Sequence, residues 1–468
     1  MSLLPRKLVL TTAHSFPFAM APCCWHQLVN GKMGCIYRVG LLILMMAPSQ
    51  LCCTENQSVE FIPGAPIIAP DEPGTGQLGQ LLGLSADAPV RISGLWVGNS
   101  SSQFFGGINS GGGSGLAQQA LLDLRLDLGK AFSWQDASVW VQALQVNVQA
   151  SAAYAAGSLN GTNNLAAAPP LNRTELYSYV FRQDLFDKQL RLVLGKQAPS
   201  TTFANVMRPI TRSGATFAEP YVTGLVMTSP YAMPTLQGKL PGYPDSALGA
   251  TLIFEPRAFQ RSTYLEAGIY DGRQAMGVPT GLVIPSLSGP LFSIVEAGTR
   301  WSFANGEKPG SIGLGTWRQS GLLSPMVPGT NLQENGTYGA YLVASQRLIN
   351  FRSKLDHSGL SSFVQAGWTA SRTATMTANF GGGFTVFAPF IQRPKDSYGL
   401  GFSWAKLNNR STLHEVWNPQ ELLLQGYAQV HLFGSSFITP ALSYLPLSGL
   451  KSADSPSFSA IVQLVFQF

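Results

Sequence analysis

The sequence predicts an all-β chain, a transmembrane antiparallel β-barrel of about 16 strands spanning residues 90–468. Three observations carry that prediction. Only 12% of the 468 residues are charged, yet no apolar run reaches the ~20 residues of a membrane helix, the longest being 39–47. Apolar and polar residues alternate at period two in about 16 separate segments, as in strands with two different faces. The last segment, 458–468, reads FSAIVQLVFQF; it fills the ~9–11 residues a tilted membrane strand needs and stops on an aromatic residue.

The first 53 residues stand apart. They hold all five cysteines (Cys23, Cys24, Cys35, Cys52 and Cys53) and four basic residues (Arg6, Lys7, Lys32 and Arg38), with no acid. Arg38 followed by the apolar 39–46 and then Ala-Pro-Ser-Gln reads as a secretory signal. We expect translation to start at Met33 or Met20, and cleavage between 47 and 54. Without this region 26 basic residues face 24 acidic ones, so no basic footprint for nucleic acid exists. The cysteine-free body excludes disulfide frameworks, thiolate metal sites and cysteine nucleophiles.

Residues 54–89 are rich in proline and glycine and read as a periplasmic linker. They contain a GxGxxG match at 74–79. Pro66, Pro70 and Pro73 precede it where a phosphate-binding turn needs a strand, so the match carries no function.

Alternation begins near Val90. It is clearest over 120–128, where Leu122, Leu124, Leu126 and Leu128 take one face and Asp123, Arg125 and Asp127 the other. A soluble sandwich would show the same local pattern. The recurrence favours a barrel: 90–97, 120–128, 139–149, 175–182, 190–196, 248–254, 262–270 and 292–303, then 311–318, 337–346, 362–370, 384–390, 398–407, 422–432, 436–444 and 458–468. Within 139–149 the apolar phase changes near Ala143 and Leu144, so a bulge is expected there. In the last segment the even positions should face lipid, with Ser459, Gln463 and Gln467 inward. Phe458, Leu464, Phe466 and Phe468 are the expected closure signal, read by the outer-membrane assembly machinery.

The connections are uneven. A short turn suffices between 128 and 139, whereas 198–247 carries seven prolines and is expected to fold inward and narrow a channel. Aromatic residues near strand ends (Trp96, Trp134, Tyr177, Tyr179, Trp301, Trp317, Tyr338, Trp368, Tyr398, Trp404 and Tyr444) suit interfacial girdles.

Catalytic chemistry has little to stand on. Only His357, His414 and His431 lie in the body, with no HExxH, no GxSxG elbow and no P-loop. We expect no enzyme, no cofactor and no metal. What remains is charge alternating with apolar residues. A charge facing lipid at mid-membrane costs about 2–4 kcal/mol, so Asp123, Arg125, Asp127, Glu175, Arg191, Lys196, Glu266, Glu296 and Arg300 are expected to line a lumen. Arg208 and Arg212 join them from the long connection. A lining of mixed sign suits a neutral polyol, whose hydroxyls both donate and accept.

Several stretches resemble the carbohydrate-selective, OprB-type porins. GLAQQALLDLRLDLGK at 115–130 resembles that family's GLAY-LDLGLDLDL segment and is followed by ALQV at 143–146. FDKQLRLVLGK at 186–196, GIYDG at 268–272 and YGLGFSWA at 398–405 resemble further family stretches, in the same order. Glu421, Tyr427, Pro440, Tyr444 and Pro446 follow its C-terminal pattern. The family's opening W-G-G-x-R is missing, so a shortened N-terminal plug is expected. The resemblance implies a 16-stranded outer-membrane barrel for passive diffusion of carbohydrates and similar small neutral solutes, in contact with membrane lipids, as a monomer or homotrimer. Two alternatives stay open: a general or anion-preferring porin on the same barrel, and a secreted soluble all-β adhesin or binding protein.

Overall fold

The computed structural model describes residues 76–85, 87–108, 112–149, 156–166, 172–208, 222–242, 245–259, 262–273, 289–304, 307–323, 333–352, 357–370, 373–408 and 416–468. The signal region expected at 1–53 lies outside the described residues, as does Arg212. A short helix, α1 (Gly76–Leu81), stands inside the stretch expected to be a linker and packs on the first strand.

Sixteen strands follow. They are β1 (Val90–Gly107), β2 (Gly113–Asp127), β3 (Ala137–Val148), β4 (Asn172–Leu185), β5 (Leu190–Gln197), β6 (Ala247–Phe254), β7 (Thr263–Asp271) and β8 (Leu291–Phe303). Then come β9 (Lys308–Leu323), β10 (Glu334–Asn350), β11 (Gly359–Thr369), β12 (Met376–Phe387), β13 (Ser397–Leu407), β14 (Gln420–His431), β15 (Phe437–Leu447) and β16 (Asp454–Gln467). Each pairs antiparallel with its sequence neighbours, and β16 returns to β1, so the sheet is a closed barrel. Lipid offers no hydrogen bonds, so only a sheet without edges can expose its rim to it.

Every alternating segment of the sequence is a strand. Several run longer than the alternation: β1 continues through Ser100, Ser101, Ser102 and Gln103, still paired on both sides. Backbone pairing persists after the need for apolar side chains has ended. Residues facing outward are exposed where Leu116, Leu122 and Leu124 alternate with buried Gln119, Leu121 and Asp123. The short helix α2 (Leu128–Phe132) joins β2 to β3, and the Asp127 carboxylate caps it by accepting from Lys130 N at 3.1 Å.

β3 differs from expectation. Its inward residues keep one phase from Ser138 to Val148, with Gln142, Leu144, Val146 and Val148 all buried. The register does slip beside Gln142 and Ala143, but the extra residue is Tyr177 on β4. The apolar pattern switches because the inward half near the long connections packs against loops, not water. Tyr177 and Trp317, expected in interfacial girdles, are likewise turned inward and buried.

The strand ends that the long connections 149–171, 198–246 and 272–290 join all lie at one end of the barrel, and those that the short turns join lie at the other, with both ends of the sheet. This is the outer-membrane arrangement of long external loops and short periplasmic turns. At the seam, Trp96 packs on Phe466 at 5.6 Å between centroids, outside the wall. Such a cross-strand pair contributes about 0.2–1 kcal/mol. On β16, Ser459, Ile461, Gln463 and Val465 are buried inward, while Val462 is exposed.

This facing predicts unequal costs on one strand. Val462→Lys should destabilise the folded barrel by about 2–4 kcal/mol, whereas Ser459→Lys should cost far less. Equilibrium unfolding in lipid vesicles measures both; equal costs would contradict the facing.

Candidate functional site: the constriction

From the connection 198–246, residues 198–208 and 222–242 pack on opposite inward walls of the barrel. Its first part lies on β7 and β8: Phe203 meets Tyr270 edge-on at 6.4 Å, and Ala204 N donates to Glu296 Oε2 at 2.9 Å. Its later part lies on the far wall. Val226 N and Met227 N both donate to Gln425 Oε1 on β14, at 2.7 and 2.8 Å. Gln365 Nε2 on β11 donates to Ser229 O at 2.8 Å, and Thr235 Oγ1 donates to Asn379 Oδ1 on β12 at 3.1 Å. Lys239 Nζ donates to Thr373 Oγ1 at 2.7 Å, and burial pushes this ammonium down to about 8.

The wall beneath the first part is built around an electrostatic conflict. The register of β7 and β8 sets Glu266 directly opposite Glu296. Like charges so placed repel. The loop resolves this with Arg208, whose Nη1 and Nη2 each donate to an oxygen of Glu266 at 2.9 Å. This two-pronged geometry is the strong form of a carboxylate–guanidinium pair. Arg208 also stands 3.9 Å from Glu296. The Glu296 oxygens accept from Tyr264 Oη at 2.9 Å and Tyr341 Oη at 2.7 Å.

Tyr264 lies between two cations. The guanidinium carbons of Arg208 and Arg300 are 5.2 and 4.8 Å from its ring centre. Each such contact is worth ~0.5–2 kcal/mol. Arg300 Nη1 also donates to Glu255 Oε1 at 2.7 Å. The ring can lie flat because Gly298 and Gly313 flank it; a Cβ at either would collide with the Tyr264 side chain.

A slot opens beside this cluster. Asn205, Val206 and Arg208 form its loop side; Tyr264, Arg300, Ser311, Val343 and Ser345 form its wall side. It offers guanidinium groups, hydroxyls and one aromatic ring in a single cleft.

Of the residues expected to line a lumen, Glu266, Glu296, Arg300 and Arg208 meet here. The others lie elsewhere. Asp123 is buried and accepts from Trp140 Nε1 and, at 2.8 Å, from Gln142 Nε2. Glu175 and Lys196 pair at 3.6 Å, with Arg173 bridging Glu175 and Asp245. Arg191 joins Arg182 on Asp184. Arg125 sits opposite Arg91. Asp127 caps its helix. Sequence reasoning passed over Tyr264, Tyr341 and Gln425, which carry no charge. One signal was present: Tyr264 and Glu266 sit two apart on β7, hence on one face.

The family profile of carbohydrate-selective porins, OprB family, matches residues 113–445. Among solved structures, the Pseudomonas putida OprB barrel in its high-pH form aligns with a TM-score of 0.68 at 16% identity, covering 81% of this chain and 94% of that one. Its low-pH form gives 0.49 at 14% identity, covering 81% and 93%. The trimer form of Vibrio cholerae OmpT gives 0.44 at 9% identity, covering 81% and 99%. No curated protein matches the chain.

Arg208→Ala should leave Glu266 and Glu296 without their shared cation. One charge removed about 6 Å from the solute path is worth ~0.7 kcal/mol in a watery pore, so cation preference should rise by a factor on the order of 3. The reversal potential in a salt gradient reads this. An unchanged potential would mean that the pair lies away from the ion path.

Proposed function

The chain belongs to the OprB family of carbohydrate-selective porins, and from that premise we propose that it admits carbohydrates by passive diffusion and selects them in the slot beside Arg208. The chain is an outer-membrane β-barrel channel, and its activity is not enzymatic. One observation carries the finer reading: an arginine brought by the inward loop faces serine hydroxyls, a second arginine and a tyrosine across a single cleft. Guanidinium groups donate to sugar hydroxyl oxygens, serine hydroxyls do both, and the ring offers a face to sugar C–H groups. Each arginine of the cleft has a carboxylate partner, Arg208 in Glu266 and Arg300 in Glu255, which favours a neutral polyol over an anion. Binding must stay weak, or the solute would not leave.

Planar-bilayer recording tests this. Glucose or a related sugar should reduce the ion current, and Arg300→Ala or Ser345→Ala should weaken that block by about 0.5–1.5 kcal/mol, the net worth of one hydrogen bond. Block that survives both changes would move the selection point elsewhere. If Arg208→Ala abolishes anion preference while sugar flux is intact, the general, anion-preferring alternative is favoured.

Two further parts of the reading concern biogenesis. Phe468 locks the seam: its N–H and C=O pair with Gly94 at 2.9 and 2.6 Å, and its ring occupies the space a Cβ on Gly94 would take. We read Phe458, Leu464, Phe466 and Phe468 as the surface presented to the assembly machinery. Phe468→Ala should lower the yield of heat-modifiable barrel well beyond the loss of its contact area. The export signal is read at 33–53, and N-terminal sequencing of protein from outer membranes locates its cleavage. Chemical crosslinking in the membrane distinguishes a homotrimer from a monomer.

A further inference from the structure

Two loops pack on the inward wall, and one strand holds both. Residues 156–166, from the connection after β3, lie against β1, β14 and β16. Asn99 Nδ2 donates to Asn163 Oδ1 at 2.7 Å, and Gln463 Nε2 donates to Asn99 Oδ1 at 2.9 Å. This loop supports the other one: Asn164 N donates to Val226 O at 2.7 Å, and Thr228 N donates to Gly161 O at 3.0 Å. Gln425 on β14 touches both, since its Oε1 takes Val226 N and Met227 N while its Nε2 donates to Thr162 O at 3.2 Å.

Four residues earlier on the same inward face stands Glu421, fully buried. Its carboxylate accepts from Ser158 Oγ at 2.7 Å, Leu159 N at 2.7 Å and Asn160 N at 2.9 Å. The fourth donor is Gly449 N at 3.1 Å, from the β15–β16 connection. Among the described residues no lysine or arginine pairs with it. A carboxylate buried without a cation needs strong donors on both oxygens. Three of the four donors here belong to residues 158–160. The carboxylate is therefore satisfied only while that loop sits in the lumen, and a displaced loop would leave its own N–H groups and the carboxylate seeking water.

We propose that Glu421 is the positioning residue that sets the bore of the channel. It pins residues 156–166, these pin residues 222–228, and the second loop thereby holds its place across the lumen from Arg208. The proposal rests on the reading that the inward loops form the constriction, but it assigns the width to the wall opposite the charged slot.

A reversible tether tests it. The five native cysteines are changed to serine, and a pair is introduced as Asn99→Cys with Asn163→Cys, two side chains already in contact. Glu421→Gln is then added; it keeps the shape, but its amide nitrogen cannot accept from the loop. Under reducing conditions this protein should conduct about twofold more than the reduced parent, with sugar block weakened about tenfold. Oxidation should restore both, with heat-modifiable migration unchanged throughout. Conductance and block equal to the reduced parent would overturn the proposal, as would changes that oxidation leaves in place. Should Glu421→Gln fail to give a folded barrel, Ser158→Ala removes one donor and should move both readouts in the same direction. Arg208→Ala run in parallel keeps the readings separate. If it leaves sugar block intact, the slot beside Arg208 is not the selection point, while conductance still reports on the bore.

Discussion

The structure depends on one constraint: a chain in lipid must pair every backbone N–H and C=O within itself. A closed sheet satisfies it, and closure has a consequence for the interior. Sixteen strands enclose a cylinder too wide for their own side chains to fill, so a water-filled lumen results unless something else enters. Here two connections enter, and they bring unpaired backbone groups with them. The inward wall must answer those groups. Gln425 takes two loop N–H groups, Gln365 gives to a loop carbonyl, and Glu296 takes Ala204 N. Much of the polar character of the inward face thus serves the loops rather than the solute.

The same constraint explains what the sequence revealed. Period-two alternation follows from strand geometry, so all sixteen strands were legible, and their number pointed to closure. Which face was which proved harder. Outward residues are reliably apolar because lipid demands it. Inward residues are polar only where they meet water or a loop's backbone. Leu144, Val146 and Val148 are inward and apolar because loop side chains cover them. Read by polarity alone, β3 therefore suggested a change of face that the backbone does not make. Strand ends failed for the complementary reason: beyond the bilayer nothing forces apolar side chains, yet Ser100 to Gln103 stay paired.

At the candidate site, charges were legible and their partners were not. Glu266 and Glu296 could be assigned to the lumen from the cost of facing lipid. Their direct opposition needed the register of β7 on β8, and the cation that reconciles them comes from a loop nearly sixty residues before Glu266, at Arg208. Tyr264 and Tyr341 were harder to single out, because an inward tyrosine at period two looks like any strand aromatic. Beside the spacing of Tyr264 from Glu266, Gly298 and Gly313 were a further clue. Glycine weakens a strand, so its use beside an inward aromatic marks a ring laid flat on the wall.

Pairing also decides what the lining can discriminate. Arg173, Glu175, Lys196 and Asp245 form one neutral group, and Arg208 forks onto Glu266 with Glu296 3.9 Å away. Arg182 and Arg191 share Asp184 near the short-turn end. A charge already matched by its neighbour projects little field across a watery lumen, because opposite potentials cancel within a few ångströms. Ions then gain little from such a wall, while its donors and acceptors still point inward. A solute that carries both kinds of hydrogen-bonding group and no net charge gains most. On the proposed reading, selectivity for carbohydrates follows from pairing the charges with one another and leaving their hydrogen-bonding edges toward the lumen.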